Sequence, residues 1–178
     1  MNSIDPTDFW QWAYSDFLSN ALRGVLAEYI VAQAVGCTHR PRTEWDAYDL
    51  KTDAGLKIEV KSAASLQTWP QRQPSLIRFD IDLKRGWDAE TNVYAAEATR
   101  AADVYVFCVF TAQDRATANP LNLEQWFFLI CPTELLNQRF PTQKSVSLSS
   151  LEALGLARVD VKELGMALAH LTVSLSPA

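Results

Sequence analysis

Residues 58–61 read Ile-Glu-Val-Lys. On a strand, successive side chains alternate faces. Glu59 and Lys61 therefore share one face, and Ile58 and Val60 share the other. The apolar face suits a core. The charged face sets a carboxylate beside an ammonium, a pairing that serves hydrolysis by holding a cation or water and offsetting negative charge.

The neighbouring segment supplies a second acid. Residues 47–51 and 56–62 are predicted as two strands joined by a turn at Asp53-Ala54-Gly55, with Gly55 in the left-handed position of a three-residue loop. Thr52 then pairs with Leu56, and the register sets Asp49 opposite Glu59. Residues directly opposed on a hairpin share a face, with Cβ atoms about 4.5–5.5 Å apart. Two carboxylates at that spacing repel, and a divalent cation between them removes the repulsion. Oxygen-only ligands select a hard ion, Mg²⁺ or Mn²⁺.

A third acid, Glu28, falls on a predicted helix among Ala21, Gly24, Val25, Val31, Ala32 and Val35. A charge in that apolar setting needs either a cation such as Arg23 or a polar site that the helix helps to wall. Taken singly, each acid has a plain structural reading: a solvated strand edge, a residue near a turn, an ordinary ion pair. An acid on a buried helix, an Asp on the next strand and Glu-x-Lys on its hairpin partner together point to a site. Asp46, three residues before Asp49, would face the opposite way on a regular strand.

The elements that must position these groups follow from periodicity. Residues 5–36 are predicted helical, with 21–35 apolar nearly all round and Gly36 as the stop. Residues 75–83 alternate as a third strand after the hairpin, and 89–100 form a short helix. Residues 104–110 and 126–131 are continuous apolar runs, hence strands covered on both faces. A short helix over TELLNQR and helices over 148–155 and 161–171 complete the chain. The expected fold is α/β: a central mixed sheet with an antiparallel meander and helices on both faces. The 178 residues suit one domain, with its core over about 15–131 and a C-terminal extension over about 132–178.

Composition narrows the function classes. Hydrophobic residues make up 48% and charged residues 21%, which is ordinary globular usage. No run suggests a membrane span or a signal peptide, so no membrane partner is expected. The three cysteines form no CxxC pair, and Cys108 and Cys131 fall in apolar runs as buried thiols. A reducing, cytoplasmic setting follows. With two histidines, a zinc site or histidine-based triad has little to work with. The net charge of −5 argues against strong nonspecific nucleic-acid binding. Even so, the stretch from Leu66 to Arg78 has two arginines and no acid, and Arg40, Arg42, Lys51, Lys57 and Lys61 lie upstream of it.

The pattern Glu28, Asp49, Glu59-Val60-Lys61 resembles the PD-(D/E)XK nuclease superfamily, the restriction-endonuclease-like fold, over about the first 110 residues. Tyr48 stands where the signature has proline. The resemblance implies that Asp49 and Glu59 bind Mg²⁺ or Mn²⁺, that Lys61 assists the attacking water, and that Glu28 is a further ligand or water-positioning acid. It also implies phosphodiester hydrolysis, with nucleic acid, DNA foremost, as partner. Some members place a Gln after the lysine, and Gln67 is the candidate for that role. Trp69 could stack on a base or sugar and Arg72 could meet phosphate, although a loop aromatic packing on its own domain is an equal reading for Trp69. The other tryptophans, Trp10, Trp12, Trp45, Trp87 and Trp126, are expected in the core or at a subunit contact, and the aromatic N-terminal helix offers a surface for a homodimer. Two readings compete with a nuclease: a catalytically inactive nuclease-fold protein that binds nucleic acid or a protein partner, and a domain whose acidic metal site serves only stability.

Overall fold

The computed structural model describes residues 3–39, 41–42, 46–88 and 93–175. Arg40 and Trp45 lie outside them. Two helices open the chain, α1 (Pro6–Ala13) and α2 (Asn20–Ala34), where the sequence suggests one. The break has a local cause. The Asp16 carboxylate accepts from the Leu18 amide and the Ser19 hydroxyl from the Leu22 amide. Asp and Ser side chains thus compete for the helix's own donors, and Ser19 becomes the N-cap of α2. No residue of α1 is buried. Trp10 and Trp12 stand 59% and 84% exposed, so neither belongs to the core.

The hairpin comes next: β1 (Leu50–Lys51) and β2 (Lys57–Ala64), antiparallel. Gly55 has φ +90°, a conformation that a side chain disfavours, and its amide donates to Thr52 O while Thr52 N donates to Leu56 O. The turn and the Thr52–Leu56 pairing are those the sequence predicts. The third strand, β3 (Arg78–Asp80), is shorter than expected. The hairpin β4 (Trp87–Asp88) and β5 (Val93–Tyr94) follows. Of the helix predicted over 89–100, residues 89–92 lie outside the described residues. Residues 93–100 contain no helix; β5 pairs with β4, and Trp87 packs on Tyr94 with centroids 4.9 Å apart.

The two apolar runs form β6 (Val104–Phe110) and β7 (Trp126–Pro132). Trp126 is buried, its indole donating to Pro120 O. Next come α3 (Thr133–Arg139), β8 (Ser145–Ser147), α4 (Leu148–Glu152), β9 (Arg158–Val159) and α5 (Val161–Leu175).

The central sheet is mixed, in the order β1-β2-β6-β7-β9. β2 and β6 run parallel, and the other neighbours run antiparallel. Outside that sheet, β3 pairs with β8 in a ribbon of their own. One sheet face carries Ile58, Val60, Val104 and Val106 against α2 and α5. The other carries Ala63, Tyr105 and Phe107 against Phe79, Leu136, Val146 and Leu151, from the ribbon, α3 and α4. Coverage of both faces explains why every residue of β6 is buried. α5 approaches α2 closely at Gly165, where an added Cβ would meet Ala34 O at 2.3 Å. No helix among the described residues is long and apolar enough to cross a membrane.

Candidate active site

Alternation along β2 carries Ile58, Val60 and Ala64 into the α2-side core and Ala63 into the opposite one. Glu59 and Lys61 therefore stand on the Ala63 side. Lys61 Nζ donates to Glu59 Oε1 at 2.7 Å, and their side chains are 17% and 12% exposed. Burial opposes the lysine's charge, but Glu59, joined by Asp49 and Asp80, outweighs it and holds the ammonium above the usual lysine range.

The β1–β2 ladder has the predicted register, Leu50 with Ile58 and Lys51 with Lys57, and ends before Asp49. The Asp49 amide donates to Ile58 O at 3.1 Å. Beyond the end of β1, the Val60 amide points to the side that β1 no longer covers, and the Asp49 carboxylate accepts from it at 2.6 Å. Asp49 is thereby held beside Glu59 by a side-chain bond rather than by a further ladder pair. Burial first, then repulsion from Glu59, push its pKa up to about 6; the Val60 amide opposes the rise, and Glu28 adds to it.

Glu28 approaches from the α2 side, so acids reach the sheet edge from both faces. The side chain is 13% exposed and held by both arms of Arg42, Nε to Oε2 at 2.5 Å and Nη2 to Oε1 at 3.0 Å. Arg23, the cation that sequence suggests as a partner, is buried and turned to its own helix start, donating to Leu18 O and Asn20 Oδ1. A cleft of about 640 Å³ lies over these groups, lined by Glu28, Tyr29, His39, Arg42, Asp46 and Asp49, among others. Glu28 and Asp49 both line this cleft, while Glu59 and Lys61 reach Asp49 electrostatically.

The donor set is all oxygen, and Glu59 and Glu28 add to the raised proton affinity of Asp49. Both properties fit a hard divalent cation, which takes one or two carboxylates and completes its shell with water and phosphate oxygens. Among the described residues no three acidic, histidine or cysteine side chains converge as a ready metal cluster. Glu28 is engaged by Arg42 and Glu59 by Lys61.

The loop after β2 separates the remaining three candidates. Gln67 is buried; its amide nitrogen donates to Ala64 O and its backbone N–H to Gln71 Oε1. It braces the loop through these two bonds. Trp69 is 53% exposed, and Arg72 is exposed on a groove wall. Sequence reasoning did not single out two neighbours of the cluster. Tyr105 is the ladder neighbour of Glu59, and burial, with Glu59 adding, keeps its hydroxyl protonated. Asp80 pairs with Lys84 at 3.3 Å and contributes to the charge of Lys61. Asp80 lies on the polar face of the alternating run 75–83, and that was the available signal.

The family model described as Bacteriophage T4 endonuclease IV matches residues 11–150, a span that includes Glu28, Asp49, Glu59 and Lys61. No match to a curated protein was found. The family match supports a nuclease that acts on nucleic acid. The chain belongs to the bacteriophage T4 endonuclease IV family.

Proposed function

We propose that this chain is a divalent-metal-dependent endonuclease of the PD-(D/E)XK superfamily that hydrolyses phosphodiester bonds in DNA. The observation that carries the reading is the shared charge at the sheet edge. Asp49, with its pKa raised to about 6 by burial, Glu59 and Glu28, sits beside a Glu59–Lys61 pair at 2.7 Å. Opposed carboxylates next to a buried ammonium gain little as scaffolding and serve hydrolysis directly.

Asp49 and Glu59 would hold Mg²⁺ or Mn²⁺, with Glu28 as the third acid. When bound, the ion lowers the pKa of water and polarises a phosphoryl oxygen. The chain's own groups divide the rest. Lys61 rests as an ammonium, so its role is to offset negative charge building on the phosphate rather than to abstract a proton. The hydrogen bond from Lys61 to Glu59 Oε1 aims both side chains at one place. The Val60 amide fixes Asp49 on the same edge. Arg42 holds Glu28 at the cleft wall with two hydrogen bonds. DNA is proposed because the enzymes that share these few residues, restriction enzymes, resolvases and repair exonucleases, act on it. An internal cut is proposed from the family's printed name.

Incubation of closed circular DNA and circular RNA with the chain, in Mg²⁺ and in EDTA, tests the proposal. Linear or nicked DNA in Mg²⁺ alone is expected. Intact circles under all conditions, with binding retained, would favour the inactive nuclease-fold reading instead.

A further inference from the structure

A second groove, of about 370 Å³, lies past the end of β2, with Ser65, Gln71, Arg72, Gln73, Asp114 and Arg115 in its wall. Because β2 and β6 are parallel, the loops that follow them leave the sheet at the same end. Crevices outside the carboxyl ends of parallel strands are where open α/β sheets take their ligands. Side chains fix the shape of this one. Gln71 Nε2 donates to Ser65 O and Ser75 Oγ at 3.0 Å each, and Gln71 Oε1 accepts from the Gln67 amide at 2.7 Å. Arg115 Nη2 donates to Gln67 O at 2.6 Å and to Trp69 O at 3.2 Å, tying the two loops together.

That bracing leaves positive charge unmatched. Arg72 is exposed and makes no hydrogen bond or ion pair among the described residues. Arg115 engages one of its nitrogens and keeps the rest of its donors. The acid in the wall, Asp114, is turned to its own loop, accepting from the Ala116 amide at 3.0 Å. A guanidinium fork matches phosphate geometry, and two of them on one wall select a ligand with closely spaced anionic oxygens. Ser65 follows Lys61 by four positions, about 13 Å along an extended strand. A nucleic-acid strand lying at the acid cluster reaches the groove within a few nucleotides.

We infer that Arg72 and Arg115 form a phosphate-backbone subsite that holds the substrate strand to one side of the cleaved bond. The inference rests on the nuclease reading above. Because the contact is to the backbone, it confers position and affinity rather than sequence preference.

The test is fluorescence anisotropy of labelled oligonucleotides, single-stranded and duplex, in Mg²⁺ at several salt concentrations. It uses Lys61→Ala as the parent, so that binding is read without cleavage. Adding Arg72→Gln is expected to weaken binding roughly five- to tenfold and to reduce the slope of log K against log salt by about one. Arg115→Lys, which keeps the charge and loses the fork, is expected to fall between. Arg139→Gln, an exposed arginine on α3, is the control and should change neither quantity. Unchanged affinity and slope in the Arg72 variant would overturn the subsite while wild-type cleavage leaves the nuclease reading standing. Absence of binding by the parent, with no cleavage by wild type, would overturn both.

Discussion

The two ends of β2 treat charge in opposite ways. At Glu59–Lys61 each charged group is engaged: Lys61 on Glu59, Asp49 on the Val60 amide, Glu28 on Arg42. Past Ala64 the carboxamides of Gln67 and Gln71 hold the loop, and Arg72 has no partner among the described residues. Groups that must act at fixed positions and protonation states are buried and mutually restrained. A group that meets a flexible anionic ligand stays exposed, and the ligand brings the counter-charge.

The contrast is broken most severely at Lys61. Lys61→Ala should lower the cleavage rate by about 10²–10⁴-fold, the range for loss of one charge-stabilising group, with an unchanged circular dichroism spectrum. Wild-type rates in the variant would remove Lys61 from the reaction.

Asp49 gives the next effect, read as stability in EDTA. Its folded pKa of about 6 lies above the ordinary value of 3.8, so the folded state holds the proton more tightly than the unfolded chain. Wild type therefore loses stability as pH rises from about 4 through about 6. Asp49→Asn, which keeps an acceptor for the Val60 amide and does not titrate, should be more stable than wild type at pH 8 by about 3 kcal/mol. The gap should close as pH falls through 6 towards 4. Denaturant titrations at pH 4.5, 6 and 8 check this, and a gap independent of pH would show that burial and repulsion do not raise the Asp49 pKa.

At the other end of β2 the expected effects are smaller. Gln71→Ala removes the bonds that brace the loop and should cost about 1–2 kcal/mol, with faster amide exchange confined to residues 65–75. Protection equal to wild type would mean that the groove is held by other contacts. Arg72→Gln, with no partner to lose among the described residues, should leave stability within about 0.5 kcal/mol of wild type, which calorimetry would verify, and act on nucleic-acid affinity alone.

Local rules made the hairpin readable. Gly55 sets the turn, Thr52 faces Leu56, and alternation puts Glu59 and Lys61 on one face; none of this depends on distant chain. The runs 104–110 and 126–131 were equally plain, because strands buried on both faces have no polar positions. Through-space choices were not readable. Arg42 rather than Arg23 holds Glu28, and Arg78 pairs with Ser147 across β3 and β8; periodicity carries no information about either. Gln67 illustrates a further limit: its type and position suit a substrate contact, and nothing in the sequence signals that its amide nitrogen donates to Ala64 O within the loop. The break between α1 and α2 was signalled by Ser15, Asp16 and Ser19, a cluster that competes with helix bonds.

On the proposed function, the opposed carboxylates at the sheet edge form a metal site used for cleavage. Calorimetric titration of Mn²⁺ into wild type and Asp49→Asn, followed by incubation of both with circular DNA, tests it most directly. Wild type should bind Mn²⁺ and cut, and Asp49→Asn should do neither. Equal binding and cleavage by the two proteins, or no Mn²⁺ binding by wild type, would contradict it.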